Sequence, residues 1–215
     1  MGMVDYSELE PEVLAVASTC PSITIERTFN NAARDLCKKA ECYRVDLDNT
    51  IVIASQPTIE LYLPQYTQLL KPVTLTVNGE QITATSDELL GEDDSQWSTR
   101  VGAAKKFMRS ANDTNSIRLY PIPDTTLTGT GLRGTVAVQP TRSARCIAEV
   151  FLDRFQDYLV NGTLARLLMI QGSEWYNPSL GSAYAAQFNV DILAAKDFGR
   201  SDDLAKRRVT KYGGY

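Results

Sequence analysis

Histidine does not occur anywhere in the 215 residues. That excludes Ser-His-Asp and Cys-His nucleophile arrangements and removes the commonest proton shuttle and metal ligand. Lysine- and carboxylate-based catalysis stay open on this ground. Cysteine is scarce, with four residues (Cys20, Cys37, Cys42 and Cys146) and no Cys-x-x-Cys. Their spacing fits neither a zinc site nor a redox motif, and in a chain this long they read as reduced, small apolar residues. Long hydrophobic runs are missing too. No stretch approaches the ~18 apolar residues that span a bilayer, so no membrane partner is expected. The acidic start, Met1-Gly-Met-Val-Asp-Tyr-Ser-Glu-Leu-Glu, lacks the apolar region of a secretory signal, and Tyr6 stands where a myristoylation signal needs Ser or Thr. Repeats at a period of roughly 20–50 residues and low-complexity tracts are also absent.

What is present is an ordinary globular composition, 43% hydrophobic, with a net charge of −4. A chain of this size buries about 70% of the surface its unfolded form exposes, enough for a sizeable core. The overall charge lacks the basic footprint of a nucleic-acid binder. The charge is uneven, however. The last ten residues hold four cations (Lys206, Arg207, Arg208, Lys211) and no carboxylate side chain, which leaves −8 on residues 1–205. An acidic body with a basic tail suggests an interaction arm.

Three textures follow one another along the chain. Residues 1–43 are expected to form an N-terminal helical segment. Ile25, Phe29, Ala32, Leu36, Ala40 and Tyr43 recur at steps of three and four, Pro21-Ser22 supplies a start, and a shorter helix with Leu9, Val13 and Val16 precedes it. Residues 44–139 are β-rich, with short β-branched runs bounded by turn residues. The strongest local signal there is Asn78-Gly79, which predicts a type I′ hairpin. Residues 140–205 are helical again. The apolar positions from Ile147 to Leu168 predict one long helix, which at about 26 residues would reach roughly 39 Å. Asn177-Pro178 opens a last helix that turns Tyr184, Phe188, Ile192, Leu193 and Ala195 inward, with an interruption at Gly199. Residues 206–215 form the basic tail. The expected fold class is α+β: a helical bundle of the N-terminal helix and two long C-terminal helices, with an inserted antiparallel β domain.

The candidate motifs for chemistry are weak. Gly129-Thr-Gly131-Leu-Arg-Gly134 matches G-x-G-x-x-G, but a dinucleotide fingerprint needs a strand before it and a helix after it. Here a strand-like Thr135-Val-Ala-Val follows, so the segment reads as a flexible inter-strand loop. Asp87, Glu88, Glu92, Asp93 and Asp94 lack the spacing of a calcium loop and read as a solvated acidic loop, with a subunit-contacting or DNA-repelling surface as the sharper alternative. The sequons at Asn112 and Asn161 have no secretory signal to go with them. No catalytic residue, cofactor or metal ligand is therefore assigned. Trp175 and Tyr176, between the last two helices, fit either a plug for the end of the bundle or a contact with a neighbouring subunit, where such aromatics are enriched. The tail residues Lys206, Arg207, Arg208, Val209, Lys211, Tyr212 and Tyr215 combine cations with aromatics, which suits ordering on an acidic partner surface.

A set of short motifs occurs in a particular order: Phe29-Asn-Asn-Ala-Ala-Arg-Asp-Leu-Cys-Lys-Lys, Leu61-Tyr-Leu-Pro-Gln, Val73-Thr-Leu-Thr-Val-Asn-Gly-Glu-Gln-Ile, Ser116-Ile-Arg-Leu-Tyr-Pro-Ile-Pro-Asp, Thr135-Val-Ala-Val-Gln-Pro, Asn161-Gly-Thr-Leu-Ala-Arg-Leu-Leu, and Trp175-Tyr-Asn-Pro with Tyr184-Ala-Ala-Gln-Phe. This order resembles the head-to-tail adaptor (connector) proteins of tailed bacteriophages, especially short-tailed ones. The resemblance implies a non-enzymatic virion protein of the neck, assembled in the bacterial host cytoplasm. It implies a ring, of twelve copies, docked under the portal, with extended termini that grip the portal protein and a platform for a tail or nozzle protein. Double-stranded DNA would pass through the channel without specific binding. By this resemblance the seven tail residues become the portal grip. One structural alternative remains, a tail-completion or stopper protein further from the portal, and a small nucleic-acid-binding module is the alternative from another class. A carboxylate-dependent hydrolase is the enzyme alternative.

Overall fold

A computed structural model describes residues 2–110 and 113–209, and for 199–209 the backbone alone. In chain order its elements are β1 (Met3–Asp5), α1 (Glu10–Leu14), α2 (Ser22–Ala40), β2 (Arg44–Val52), β3 (Thr58–Glu60), β4 (Thr67–Val77), β5 (Glu80–Ala84), α3 (Asp87–Asp93), β6 (Lys106–Arg109), β7 (Ser116–Tyr120), β8 (Leu127–Pro140), β9 (Cys146–Ala148), α4 (Glu149–Leu167) and α5 (Pro178–Val209). These divide into two compact units, Met1–Tyr43 with Gln139–Tyr215, and Arg44–Val138.

The first unit is built on α2, α4 and α5, which pack pairwise. Helix α2 buries Ile25, Phe29, Ala32, Ala33, Leu36, Cys37 and Ala40, the apolar stripe that helical periodicity lays on one face. It ends at Glu41, whose left-handed backbone (φ 52°) lets its N–H reach the Cys37 carbonyl at 2.9 Å. Helix α4 buries Phe151, Leu152, Phe155, Leu159, Leu164 and Leu167. The approach of α4 to α5 is close, because Gly162 carries no side chain where the Phe188 ring lies. Arg166 joins the three helices: its guanidinium pairs with Asp35 of α2, donates to the Gly162 carbonyl and lies 5.4 Å from the centre of the Phe188 ring. Where the chain re-enters this unit, Asn30 donates to the carbonyls of Thr141 (3.0 Å) and Arg142 (2.9 Å), and Arg34 to that of Pro140 (2.6 Å). A two-stranded antiparallel ribbon, with Val4 opposite Ile147, completes the unit.

The second unit is one seven-stranded sheet in the order β2-β8-β4-β5-β6-β7-β3. The Asn78-Gly79 hairpin joins β4 to β5 with both central residues at positive φ (52° and 79°), as a type I′ turn requires. Strands β5 and β6 run parallel, with Thr83 opposite Lys106. A parallel neighbour needs a crossover, and α3 supplies it. The edge strands β2 and β3 line the same cavity, so the sheet curls back almost to closure.

This overturns the expected fold class of a helical bundle carrying an antiparallel β insertion. The chain is α+β, but its largest element is a mixed, nearly closed sheet, and a second small sheet sits in the helical unit. Local patterns carry strand period but not strand partners, so the parallel pair, the curl and the β1–β9 ribbon left no mark in them. The Gly129–Gly134 segment is not a loop but the middle of β8. A β-carbon at Gly131 would fall 2.0 Å from the Thr50 carbonyl oxygen, and one at Gly134 (φ 150°) 2.0 Å from that of Thr74. These glycines admit neighbouring backbone rather than phosphate. The acidic loop is helix α3, capped by Ser86, whose hydroxyl accepts from the Leu89 N–H at 3.3 Å. Ile147 and Ala148 belong to β9, so the long helix begins at Glu149, and it kinks at Phe155 (φ −129°, ψ 17°). Helix α5 passes through Gly199 without a break.

Candidate functional site

The turn between α4 and α5 separates two neighbouring aromatics. Trp175 is half-buried and its indole N–H donates to the Leu167 carbonyl at 3.1 Å, a second donor beside the Ile170 N–H that ties the turn to the end of α4. Asn177 caps the start of α5, its side-chain oxygen accepting from the Leu180 N–H at 3.2 Å. Tyr176, held between these two anchors, faces solvent, as do Met169, Ile170 and Leu180 around the same turn. The structure thus gives Trp175 an intramolecular partner and leaves Tyr176 presented outward.

Helix α5 carries a second apolar face that the sequence reading missed. Leu193 was expected inward with Ile192, but it is 64% exposed, and Val190 is 59% exposed. Phe188, Ile192 and Ala195 are buried at steps of four and three. Leu193 lies one residue, or about 100°, off that stripe, and the periodicity could have shown this. Ala183, Ala186, Val190 and Leu193 instead recur at steps of three and four on the solvent side. A helix apolar on two faces has more to bury than one core. The side chains of Lys206, Arg207, Arg208 and Val209, and residues Lys211, Tyr212 and Tyr215 altogether, lie outside the described residues. So does the sequon residue Asn112. Asn161 is half-buried in α4, where its amide donates to Asp191 at 2.8 Å.

The groups with chemical potential are arranged for structure. Burial pushes the Cys20, Cys37 and Cys146 thiols up, which disfavours the reactive thiolate. Burial also raises the Tyr6 phenol, and it pushes Tyr43 up to about 12. Asp94 sits at the end of α3, where a hydrogen bond from Arg100 (2.8 Å) holds its carboxyl below the usual range, helped by the Gln96 N–H and the Tyr120 hydroxyl. Asp93 pairs with Lys106 at 3.2 Å. The acidic helix is therefore partly neutralised by the strand and loop it packs against. Among the described residues no group of three or more Cys, Asp or Glu could hold a metal ion, and no helix is long and apolar enough to cross a membrane.

A family model covers nearly the whole chain, including both compact units. No curated protein matches the chain. The family described as "SU10 adaptor protein" matches over residues 4–210, consistent with the resemblance to phage head-to-tail adaptors, and short-tailed phages are not singled out by it. The chain belongs to the SU10 adaptor protein family, and it is a structural adaptor protein of a bacteriophage.

Proposed function

We propose that this protein forms a ring under the portal, joins the phage head to its tail and lines the channel through which DNA leaves. The family match over residues 4–210 carries this reading. Self-association is supported by the outer face of α5, since identical subunits meeting through two different patches close into a ring when the rotation permits. In this arrangement the Val190–Leu193 face and the turn bearing Tyr176 cover one another's apolar surface between neighbouring copies, twelve in all. Trp175 stiffens that turn. The net charge of −8 on residues 1–205 suits a wall along which a duplex passes without adhering, because phosphate is repelled at short range. The basic segment (Lys206, Arg207, Arg208, Val209, Lys211, Tyr212, Tyr215) grips an acidic surface of the portal, and a tail or nozzle protein docks on the opposite side. The protein resides in the virion neck and is assembled in the bacterial cytoplasm. It has no catalytic role in this reading.

The experiment is co-sedimentation of the purified protein with its portal, with and without residues 206–215. Full-length protein is expected to travel with the portal, and the truncated form to lose most of that association. Equal binding by the truncated form would remove the assigned grip, and no binding by either would remove the adaptor reading.

A further inference from the structure

We propose that the cleft between edge strands β2 and β3 receives an extended, cationic segment of a second protein of the neck, added to the sheet as a further strand. The identity of the partner rests on the adaptor reading above, whereas the cleft stands on its own geometry. Among the described residues, β2 and β3 end the strand order, so each presents one backbone edge without a strand partner. A cavity of about 400 Å3 lies along both, lined by Asn49, Ile51 and Ile53 on one side and by Thr58, Ile59 and Glu60 on the other. A strand laid there finds N–H and C=O groups on two flanks instead of one, and completes the nearly closed sheet.

The side chains say what kind of strand fits. Sheet edges left open are normally guarded by charge, proline or bulges. Strand β2 does have register breaks, between Leu47 and Thr50 and between Thr50 and Val52. Beside these breaks the guard is incomplete, because Ile51 (51% exposed), Ile53 (49%) and Tyr62 (82%) stand open to solvent at this site. An adjoining recess of about 270 Å3 adds Asp46 and Asp48. Asp46 already accepts from the Thr135 hydroxyl at 2.6 Å, which leaves Asp48 and Glu60 as the carboxylates the cleft offers, and no lysine or arginine lines either recess. A strand alternates its side chains, so one face of the incoming segment sets apolar residues against Ile51 and Tyr62, and its other residues offer cations to the carboxylates.

The chain itself supplies no good occupant. Its described strands already pair in its own sheets. Of its basic tail, Lys206 to Val209 belong to α5, and the six residues that follow include Gly213-Gly214, which strand pairing disfavours. The occupant is therefore a second protein.

The test is a titration of the full-length, isotopically labelled protein with the decapeptide (Lys-Val)5, capped at both ends, followed by amide resonances and amide exchange. Saturable shifts and slowed exchange are expected at Asn49–Ile53 and Thr58–Glu60, with affinity falling as salt rises. The twin peptide (Glu-Val)5 should leave these amides unmoved. The exposed substitutions Asp48→Lys and Glu60→Lys, made together, should weaken (Lys-Val)5 binding at least tenfold while leaving the remaining resonances in place. Absence of a saturable change at these two segments, or binding indifferent to peptide charge or to the double substitution, would overturn the proposal. Tighter binding of a Lys206–Tyr215 peptide in the same cleft would also overturn it, by assigning the site to a second copy. Ring formation on the portal is read separately and does not depend on these residues.

Discussion

A β-carbon placed on Gly162 of α4 would lie 2.7 Å from Cε2 of Phe188 on α5. The two helices meet backbone to ring, and Arg166 lies over the same ring at 5.4 Å. Gly162→Ala must therefore push the ring or the helix aside. Overpacking of this kind costs about 1–3 kcal/mol, outweighing the ~1 kcal/mol that alanine gains in helix propensity. Thermal denaturation of the variant should show a net loss of stability, and an unchanged or raised midpoint would contradict this packing.

The glycines of β8 make a contrasting set. Gly134 holds φ 150° with the Thr74 carbonyl against it, whereas a β-carbon on Gly129 would meet nothing within 4 Å. Gly134→Ala is expected to destabilise by at least ~1–3 kcal/mol, and Gly129→Ala to change stability by less than about 0.5 kcal/mol. Equal effects at the two positions in urea denaturation would refute the close approach of the Thr74 carbonyl to Gly134.

These elements also show how far the sequence could be read. Helix α2 follows from the spacing of Ile25, Phe29, Ala32 and Leu36, and the hairpin from Asn78-Gly79, because each depends on neighbours in sequence. The Gly129–Gly134 strand needed Thr50 and Thr74, which lie far away along the chain. Helix α3 was hidden by its charge: Leu90 alone turns inward, too little for a periodic signal. At the candidate site, Trp175 and Tyr176 were legible as a pair, but which of them turns inward depends on the Leu167 carbonyl. The outer face of α5 was present in the spacing of Val190 and Leu193, masked by the stronger stripe of Phe188 and Ile192.

Trp175 and Tyr176 should separate stability from association. Trp175→Phe keeps an aromatic side chain, though a smaller one, and loses the hydrogen bond to Leu167, which alone costs about 0.5–1.5 kcal/mol. Tyr176→Ala, at an exposed position, should leave the melting temperature within error and weaken self-association. Analytical ultracentrifugation of both variants, in the presence of portal, checks the division.

Alkaline pH probes the core around α2. Tyr6 and Tyr43 are buried, and neither hydroxyl has a hydrogen-bond partner among the described residues. Burial raises both phenols in the fold, Tyr43 to about 12, against an unfolded value of about 10. The folded state thus keeps protons the unfolded state releases. Stability is fully present below about pH 10 and declines as pH rises toward 12. The double variant Tyr6→Phe, Tyr43→Phe should unfold near the wild-type midpoint at neutral pH and lose less between these limits. Parallel declines in the two proteins would assign the alkaline loss to other groups.

The most direct measurement of the central claim is electron microscopy of the protein mixed with the portal of its own phage. The adaptor reading predicts an additional ring of density beneath the portal, coaxial with its channel, with α5 at the contact between neighbouring subunits. A portal that remains bare at saturating protein, or density that decorates the particle without closing around the channel, would contradict it.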